Sequence, residues 1–216
     1  PFDEYPGMGN FMVMDHGKDT ISIYGHLSDS VIPKERYADG EAIGKMGNTG
    51  HSMATHLHFT LIKRIEKKSI NPYAILPRID DAKPPMHVAT WFRIGERYIQ
   101  LRDKGNYRIT AHHPLLLEIN DTISKRERLG VYTLAVQINE KTVLDVEFKE
   151  IDSSKNILTV MGLASQDLFD EKGYYRVAGI RYVEGENRIK IVATDFSGNR
   201  LESAISILVH LDISQQ

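Results

Sequence analysis

Short apolar runs separated by glycine-rich turns characterise the first third of the chain. The turn at residues 17–19 predicts a hairpin between the first two runs, and Gly44–Gly50 predicts a place where backbones pack closely. Residues 71–76 predict a short helical turn after the last run. The predicted strands of this region are Phe11–Asp15, Thr20–Tyr24, Glu41–Lys45 and Leu57–Lys63.

The pattern changes at a proline-containing segment near residue 80. Prolines oppose regular structure, and two aspartates stand among them, so this segment predicts a linker. We therefore expect two domains, one at residues 1–77 and one at residues 87–216, joined by a linker at residues 78–86. The prolines concerned are Pro77, Pro84 and Pro85.

Beyond the linker, apolar runs of strand length recur about every ten residues, with Asn, Asp and Gly between them. Apolar and polar positions alternate in Val131–Ile138, as expected of a sheet with one buried face. The region predicts an antiparallel β-sandwich of about 120 residues. Asn187–Asn199, a strand followed by Asp-x-x-Gly-Asn, is similar to a signature of immunoglobulin-like modules in secreted bacterial proteins. The predicted strands are Tyr107–Ala111, Leu115–Ile119, Tyr132–Ile138, Val143–Phe148, Ile157–Met161, Tyr174–Ile180, Ile189–Thr194 and Ala204–Leu211.

Two further groups in this region carry specific expectations. Trp91, Phe92 and Tyr98 follow the linker directly, and we expect them to pack between the two domains. Asp195 and Asn199 offer oxygen ligands of the kind that calcium binds, but capping of a turn is the favoured interpretation.

The composition limits the classes of protein to which the chain can belong. With 216 residues, of which 41% are hydrophobic, the chain can form a substantial core. A net charge of −2, a pI near 6.6 and the absence of a basic stripe argue against a nucleic-acid partner. No apolar run is long enough to span a membrane, and the absence of cysteine excludes disulfides and thiol catalysis.

His56 and His58 are the residues with the most specific chemistry. Side chains alternate between the two faces of a strand, so these two imidazoles are predicted to point to the same side. Neutral imidazole binds zinc readily, and a hydrolytic zinc site needs three protein ligands and an open position for water. The pair alone is weak evidence, because a histidine in a strand more often makes an ordinary hydrogen bond.

A larger set of motifs accompanies this pair. In order and spacing, the motifs resemble the LytM-type zinc endopeptidases of family M23, which cut peptide cross-links in bacterial cell walls. The resemblance covers roughly the first third of the chain, to about Leu76, and its motifs are specific. These motifs are Gly9–Gly17, Tyr24–Ser28, Ala42–Gly50 and Thr55–Phe59.

The resemblance implies a role for three histidines. His58 matches a zinc ligand, and His26 and His56 match the catalytic histidines of the same site. These two would orient or deprotonate a zinc-bound water and stabilise the oxyanion of the tetrahedral intermediate, while zinc polarises the scissile carbonyl. The resemblance therefore implies zinc as the cofactor, peptidoglycan as the partner, and a location in the bacterial cell envelope, periplasmic or extracellular.

The sequence departs from the family pattern at two places. Members usually carry a further His and Asp as zinc ligands in a His-x-x-x-Asp segment well upstream of the first strand, and this sequence contains no such segment. One protein ligand is too few for a tight zinc site. The loop Ser52–Thr55 also stands where relatives tend to place a Ser-Thr-Gly turn, so we expect the wall of the cleft to differ.

Three explanations of the missing ligands stay open. The favoured one is that the chain is part of a longer zinc endopeptidase, because all three histidines are retained. The second is a non-catalytic LytM-like module that binds or regulates a protein partner of the cell envelope, such as a wall amidase. The third is a structural or adhesive envelope protein whose histidines hold no metal.

The remaining histidines receive ordinary interpretations. His16 follows an apolar strand in an Asp-His-Gly turn, where the resemblance implies a structural role. His51 is expected to be a surface loop residue. The other four, expected to be solvated or capping side chains, are His87, His112, His113 and His210.

Overall fold

The computed structural model describes residues 7–28, 33–77, 80–122, 128–154 and 157–212. Nearly all of the regular structure is β-strand in mainly antiparallel sheets, which confirms the predicted all-β class. Immunoglobulin-like topology stays a prediction. None of the helices in the described ranges is long and apolar enough to cross a membrane.

The chain divides into two compact units. Unit 1 comprises Pro1–Leu76 together with Glu150–Asn156, and unit 2 comprises Pro77–Lys149 together with Ile157–Gln216. No pattern in the sequence indicated that residues 150–156 join the first unit. The predicted linker at residues 78–86 includes two positions, 78 and 79, outside the described residues, and the predicted domain boundaries stay predictions.

Unit 1 is built on an antiparallel sheet with the strand order β1-β2-β3-β4-β12. The predicted hairpin turn joins β1 to β2, with positive φ angles at Gly17, Lys18 and Asp19. The predicted helical turn is a short 3-10 helix at Pro72–Ala74. Numbered along the whole chain, the strands are β1 (Asn10–Asp15), β2 (Thr20–Leu27), β3 (His58–Lys63), β4 (Lys68–Ile70) and β12 (Glu150–Asp152).

The predicted strand at Glu41–Lys45 is wrong. These residues have no strand partner, and only isolated bridges form next to them, between Leu27 and Met46 and between Gly47 and His56. The carboxylate of Glu41 instead accepts a hydrogen bond from the backbone N–H of Ala38 and pairs with Lys34. This local turn, followed by a glycine-rich stretch, replaces the extended pairing that the alternating residues suggested.

Unit 2 contains two sheets, with the orders β11-β10-β16-β17-β7 and β15-β8-β5-β6, and β9 pairs with β8. All of these pairings are antiparallel except β17 with β7. One short helix, α1 (Ser165–Leu168), and a small hairpin of β13 and β14 complete the unit. The strands are β5 (Met86–Ile94), β6 (Arg97–Leu101), β7 (Gly105–Ile109), β8 (Leu115–Thr122), β9 (Arg128–Leu129), β10 (Thr133–Ile138), β11 (Lys141–Glu147), β13 (Thr159–Val160), β14 (Leu163–Ala164), β15 (Tyr175–Val177), β16 (Gly185–Thr194) and β17 (Arg200–Leu211).

One apolar cluster takes side chains from both sheets of unit 2. Leu115 and Leu117 of β8 and Leu134 and Val136 of β10 are fully buried in it, at every second position of their strands. Period-two burial in β10 is what the alternating sequence predicted for a sheet with one buried face, whereas in β8 Leu116 is buried as well. The burial of these apolar surfaces is the main source of stability for the unit.

The aromatic residues after the linker belong to unit 2 itself. Phe92 of β5 lies in the apolar cluster with 1% of its surface exposed, and the ring of Trp91 stacks on Tyr174 at 6.3 Å between centroids. The hydroxyl of Tyr98 donates to Asp170. The expectation that these aromatics serve contact between domains is therefore replaced by packing inside one unit. The β5–β6 hairpin that carries them was not predicted.

Candidate active site

The pairing of β2 with β3 places His26 beside His58. In this register, Gly25 lies directly opposite His58. A regular strand would turn the next residue, His26, to the other face, but the φ of +60° at His26 departs from extended backbone. The two ring centroids are 5.6 Å apart. Gly25 allows this approach, because a Cβ there would lie 3.3 Å from the Cβ of His58 and 2.7 Å from the sulfur of Met8.

His56 reaches the same volume through a single bridge rather than through a strand. Its backbone N–H donates to the carbonyl of Gly47 at 3.3 Å, and its ring lies 4.7 Å from that of His26. The structure therefore brings together all three histidines that the sequence nominated. The chemical role of each one stays a prediction.

His26 is the most constrained of the three side chains. Only 4% of its surface is exposed, and its φ of +60° lies in the left-handed region, which is uncommon for a residue with a side chain. Its Nδ1 is 2.8 Å from the carbonyl oxygen of Thr49, so Nδ1 carries the proton and donates. In the neutral ring, the lone pair is then on Nε2.

Thr49 is held in place by a loop that only glycine can form. A Cβ on Gly50, at φ +71°, would lie 2.3 Å from the backbone nitrogen of Gly9, and a Cβ on Gly47 would lie 2.6 Å from that of Ser28. The Thr49 hydroxyl also donates to the carbonyl of Leu27 at 2.8 Å. The predicted close packing of this glycine-rich segment is confirmed, and it fixes the carbonyl that orients His26.

His56 is oriented in a similar way at the exposed edge of the site. Its Nδ1 donates to the carbonyl of Ala54 at 2.8 Å, which again leaves the lone pair of the neutral ring on Nε2. The hydroxyl of Ser52 donates to the same carbonyl at 2.8 Å. The loop Ser52–Thr55, where the sequence departs from the family pattern, therefore supplies the contact that positions His56.

The pKa of His58 lies below its ordinary value. Desolvation of the ring by its neighbours is the larger cause, and the positive charges that His26 and His56 carry when protonated add to it. Neutral imidazole is the form that binds a metal ion. The electrostatics of the cluster therefore suit the ligand role that the resemblance implies for His58.

The residues present do not fit a complete zinc site. Within the described ranges, no histidine belongs to a group of three or more metal-donor side chains whose ligand atoms lie within 4.8 Å of one another. Of the three converging histidines, the resemblance assigns a ligand role to His58 alone. We therefore derive no chemical step through a zinc ion.

Two positioning contacts were not found from the sequence. The carbonyls of Thr49 and Ala54 hold His26 and His56, and a backbone acceptor leaves no mark on residue type. The available signal was indirect, because Gly47 and Gly50 flank Thr49 and glycines at such spacing indicate a tightly packed loop. Side-chain patterns alone nominate the histidines but not the groups that orient them.

The remaining histidines have contacts of their own. His16 bonds through Nε2 to the buried hydroxyl of Ser22 at 2.7 Å, in keeping with a structural role, and His51 is exposed. His87 and His113 are more buried than expected: His87 bonds to Ser203 and Thr90, and the Nε2 of His113 is buried without a partner among the described residues. Both residues are half-buried, so neither side chain is fully solvated.

A cleft also lies along β1 and β2, outside the histidine cluster. Its walls come from these two strands, from His16, from residues 33–41 and from Ile43, and none of His26, His56 and His58 lines it. Its lining includes Met12, Met14, Tyr24, Lys34, Tyr37 and Glu41.

Comparison with known proteins assigns the two parts of the chain to different families. Residues 2–72 match the model of Peptidase family M23, and residues 91–210 match a second family model whose description names no function. The M23 match spans all three histidines of the cluster.

Curated relatives match the same part of the chain. Peptidoglycan DD-endopeptidase ShyA of Vibrio cholerae is 39% identical over 61 residues, which is 28% of this chain and 14% of that protein. DD-carboxypeptidase/endopeptidase Mpg of Neisseria meningitidis serogroup B is 33% identical over 69 residues, 32% of this chain and 16% of Mpg. Cell division protein DipM of Caulobacter vibrioides is 27% identical over 81 residues, 35% of this chain and 13% of DipM. The chain therefore spans less than a fifth of the length of each relative.

Proposed function

Residues 2–72 belong to peptidase family M23, and from this premise we propose that the protein acts as a zinc-dependent endopeptidase on the peptide cross-links of bacterial peptidoglycan. The observation that carries the proposal is the convergence of His26, His56 and His58 at the positions of the family motifs. The name of ShyA describes a peptidoglycan DD-endopeptidase and that of Mpg a DD-carboxypeptidase/endopeptidase, which supports the same substrate class.

His26 and His56 act as the proton-handling pair in this proposal. Each donates through Nδ1 to a backbone carbonyl, so each neutral ring keeps a basic Nε2 for the substrate side of the site. When protonated, either ring can donate a hydrogen bond to the oxyanion that develops on the attacked carbonyl. Their anchoring to the backbone reduces the reorganisation that the reaction requires.

A zinc site needs more protein ligands than His26, His56 and His58 supply in this proposal. His58 would be one protein ligand, and a tight zinc site needs at least two more. In the proposal, those ligands lie in the full-length gene product, outside the residues that the structure describes. The location proposed with this activity is the cell envelope, periplasmic or extracellular. The curated relatives include an outer membrane lipoprotein of Haemophilus influenzae.

Zinc content tests the ligand set directly. Zinc per chain is measured by elemental mass spectrometry after dialysis, for the 216-residue chain and for the full-length gene product, beside His58→Ala. We expect about one zinc in the full-length protein and a loss of most of it in His58→Ala. His51→Ala is the matched control, because His51 is an exposed histidine of the adjoining loop. Its zinc content is expected to equal that of the unmodified protein.

Hydrolysis separates the peptidase from the alternative of a non-catalytic envelope module. The zinc-loaded full-length protein is incubated with purified peptidoglycan, and released peptides are quantified beside His56→Ala. A peptidase is expected to lose at least about 100-fold in rate in His56→Ala, because one general acid–base group contributes that much. Equal and negligible release from both would refute the proposal and favour a module that binds or regulates an envelope protein.

A further inference from the structure

Three carboxylates of unit 2 meet although they are distant in sequence. Asp81 precedes β5, Asp121 lies in β8, and Asp195 follows β16. One carboxylate oxygen of each lies within 4.8 Å of the corresponding oxygens of the other two. The strand pairings of both sheets therefore converge on a small volume lined by negative charge.

The strongest indication of a bound cation comes from Asp121. It is 98% buried, at 2% exposure, and its Oδ1 has no hydrogen-bond partner among the described residues. A buried carboxylate oxygen without a donor is rare in proteins, because its loss of hydration is uncompensated. A bound cation would compensate such an oxygen in a carboxylate that meets two others.

The carboxylates of Asp81 and Asp195 accept hydrogen bonds that fix their positions but do not neutralise their charge. Asp195, also 2% exposed, accepts hydrogen bonds from the backbone N–H of Asn199 at 2.9 Å and from its Nδ2 at 2.8 Å. The same Nδ2 donates to the backbone carbonyl of Asp81 at 2.9 Å. The Asp81 carboxylate accepts from the N–H of Lys83 at 3.0 Å. Asn199 thus ties two of the acidic residues to each other, and the predicted turn cap at Asp195 is present as well.

Among the residues that the structure describes, no basic side chain pairs with these carboxylates. Within the described ranges, none of the three carboxylates forms an ion pair with Lys, Arg or His. Burial, and then the charges of Asp195 and Asp81, raise the pKa of Asp121 to about 6. Three carboxylates this close are stable only if a proton is retained or a cation is bound.

We propose that Asp81, Asp121 and Asp195 form a calcium-binding site in unit 2. Calcium is a hard cation that binds carboxylate and carbonyl oxygens, and the cluster offers oxygen donors and no nitrogen or sulfur ligand. Calcium–oxygen distances of about 2.3–2.6 Å put ligand oxygens up to about 5 Å apart. The carboxylate oxygens of the cluster, which lie within 4.8 Å of one another, meet this requirement. Magnesium demands shorter bonds and a stricter octahedron.

The ion would connect three parts of unit 2. Asp121 belongs to the sheet β15-β8-β5-β6, Asp195 follows a strand of the other sheet, and Asp81 lies in the segment that enters β5. A ligand that binds the folded state alone stabilises that state by mass action. The site therefore makes the stability of unit 2 depend on calcium, whether or not the chain is a peptidase.

Thermal unfolding of the 216-residue chain tests this site. The chain is treated with EDTA, dialysed, and unfolded with either no added cation, calcium or magnesium at about 10 mM, above the usual dissociation constants of extracellular calcium modules. Fluorescence of Trp91, the single tryptophan of the chain, reports on unit 2. Calcium is expected to raise the midpoint by about 3–8 °C, and magnesium by much less. Titration calorimetry is expected to give one calcium ion per chain.

Charge-removing variants decide between a bound cation and a retained proton. Asp121→Asn and Asp81→Asn are expected to lose the calcium shift and, without calcium, to unfold at a higher temperature than the unmodified chain, because they relieve repulsion. Asp145→Asn removes an exposed carboxylate from β11 and is expected to keep the full shift. An unmodified chain whose midpoint does not change with calcium would overturn the proposal, and so would an equal shift in Asp121→Asn.

Discussion

The two units of this protein build their clusters of polar side chains in opposite ways. In unit 1, His56 and His58 are exposed, and His26 is fixed by a main-chain carbonyl. In unit 2, Asp121 and Asp195 are buried, and one carboxylate oxygen of Asp121 has no donor among the described residues. A site shaped for substrates keeps its chemistry accessible, whereas a buried, unsatisfied acid cluster suits an ion that stabilises the fold.

The units also differ in what holds them together. The buried apolar side chains of unit 1 among the described residues are few, whereas an apolar cluster extends through both sheets of unit 2. Unit 1 depends more on glycine-mediated backbone contacts around its site. The buried apolar side chains of unit 1 among the described residues are Met12, Ile21, Ile23, Leu27 and Leu61.

The largest expected effect lies in the core of unit 2. Leu134 of β10 is fully buried, so Leu134→Ala is expected to lower the free energy of unfolding of unit 2 by about 2–5 kcal/mol through lost burial and a cavity. Urea unfolding followed by Trp91 fluorescence measures it. Leu208→Ala, at a position with 42% exposure in β17, is expected to cost less than about 1 kcal/mol. Similar losses in both variants would contradict the assignment of this core.

Two glycines of unit 1 have the same φ but different surroundings, so substituting each one distinguishes steric crowding from backbone strain. Gly17 and Gly50 both have φ +71°, but a Cβ on Gly17 meets no atom within 4 Å, while one on Gly50 meets the backbone of Gly9. Gly50→Ala is expected to destabilise unit 1 by about 3 kcal/mol, and Gly17→Ala by about 1 kcal/mol. Hydrogen exchange of the β2 amides measures both. Equal effects would mean that the loop is not closely packed.

Thr49 provides the link between the loop and His26. Its hydroxyl donates to the carbonyl of Leu27 and accepts from the N–H of Asn10, so Thr49→Val is expected to cost about 1–2 kcal/mol and to change the ring nitrogen shifts of His26. Nitrogen-15 NMR of the imidazoles is the measurement. Thr60→Val, a threonine of β3 with no side-chain hydrogen bond in the described structure, is expected to leave those shifts unchanged. An unaltered His26 spectrum in Thr49→Val would show that the loop does not orient the ring.

Substitution of Asn199, which contacts the acid cluster of unit 2, has the smallest expected effect on stability. Asn199→Ala removes the amide that bridges Asp195 and Asp81, and it is expected to lower the stability of unit 2 by about 1 kcal/mol. Calcium affinity is expected to fall as well, which titration calorimetry measures. Asn106→Ala, at an exposed position of β7, is the control. Unchanged calcium affinity in Asn199→Ala would show that the cluster does not need this bridge.

Much of the strand pattern was predictable because it is local. Period-two alternation at residues 131–138 anticipated β10, and the turn at residues 17–19 anticipated the β1–β2 hairpin. The β5–β6 hairpin was missed because it was interpreted as a cluster after the linker, and its pairing partner β8 lies later in the chain. Glu41–Lys45 has a strand-like sequence but no partner strand, and pairing cannot be read from the segment itself.

The sequence by itself identified the family that residues 2–72 match and the three histidines that meet in unit 1, because the family motifs and the spacing of His56 and His58 are local properties of the chain. Only the tertiary structure decided which carbonyls orient His26 and His56, since a backbone acceptor has no sequence signature. It also brought Asp81, Asp121 and Asp195 together, because strand pairing across two sheets joins residues that no short-range pattern relates.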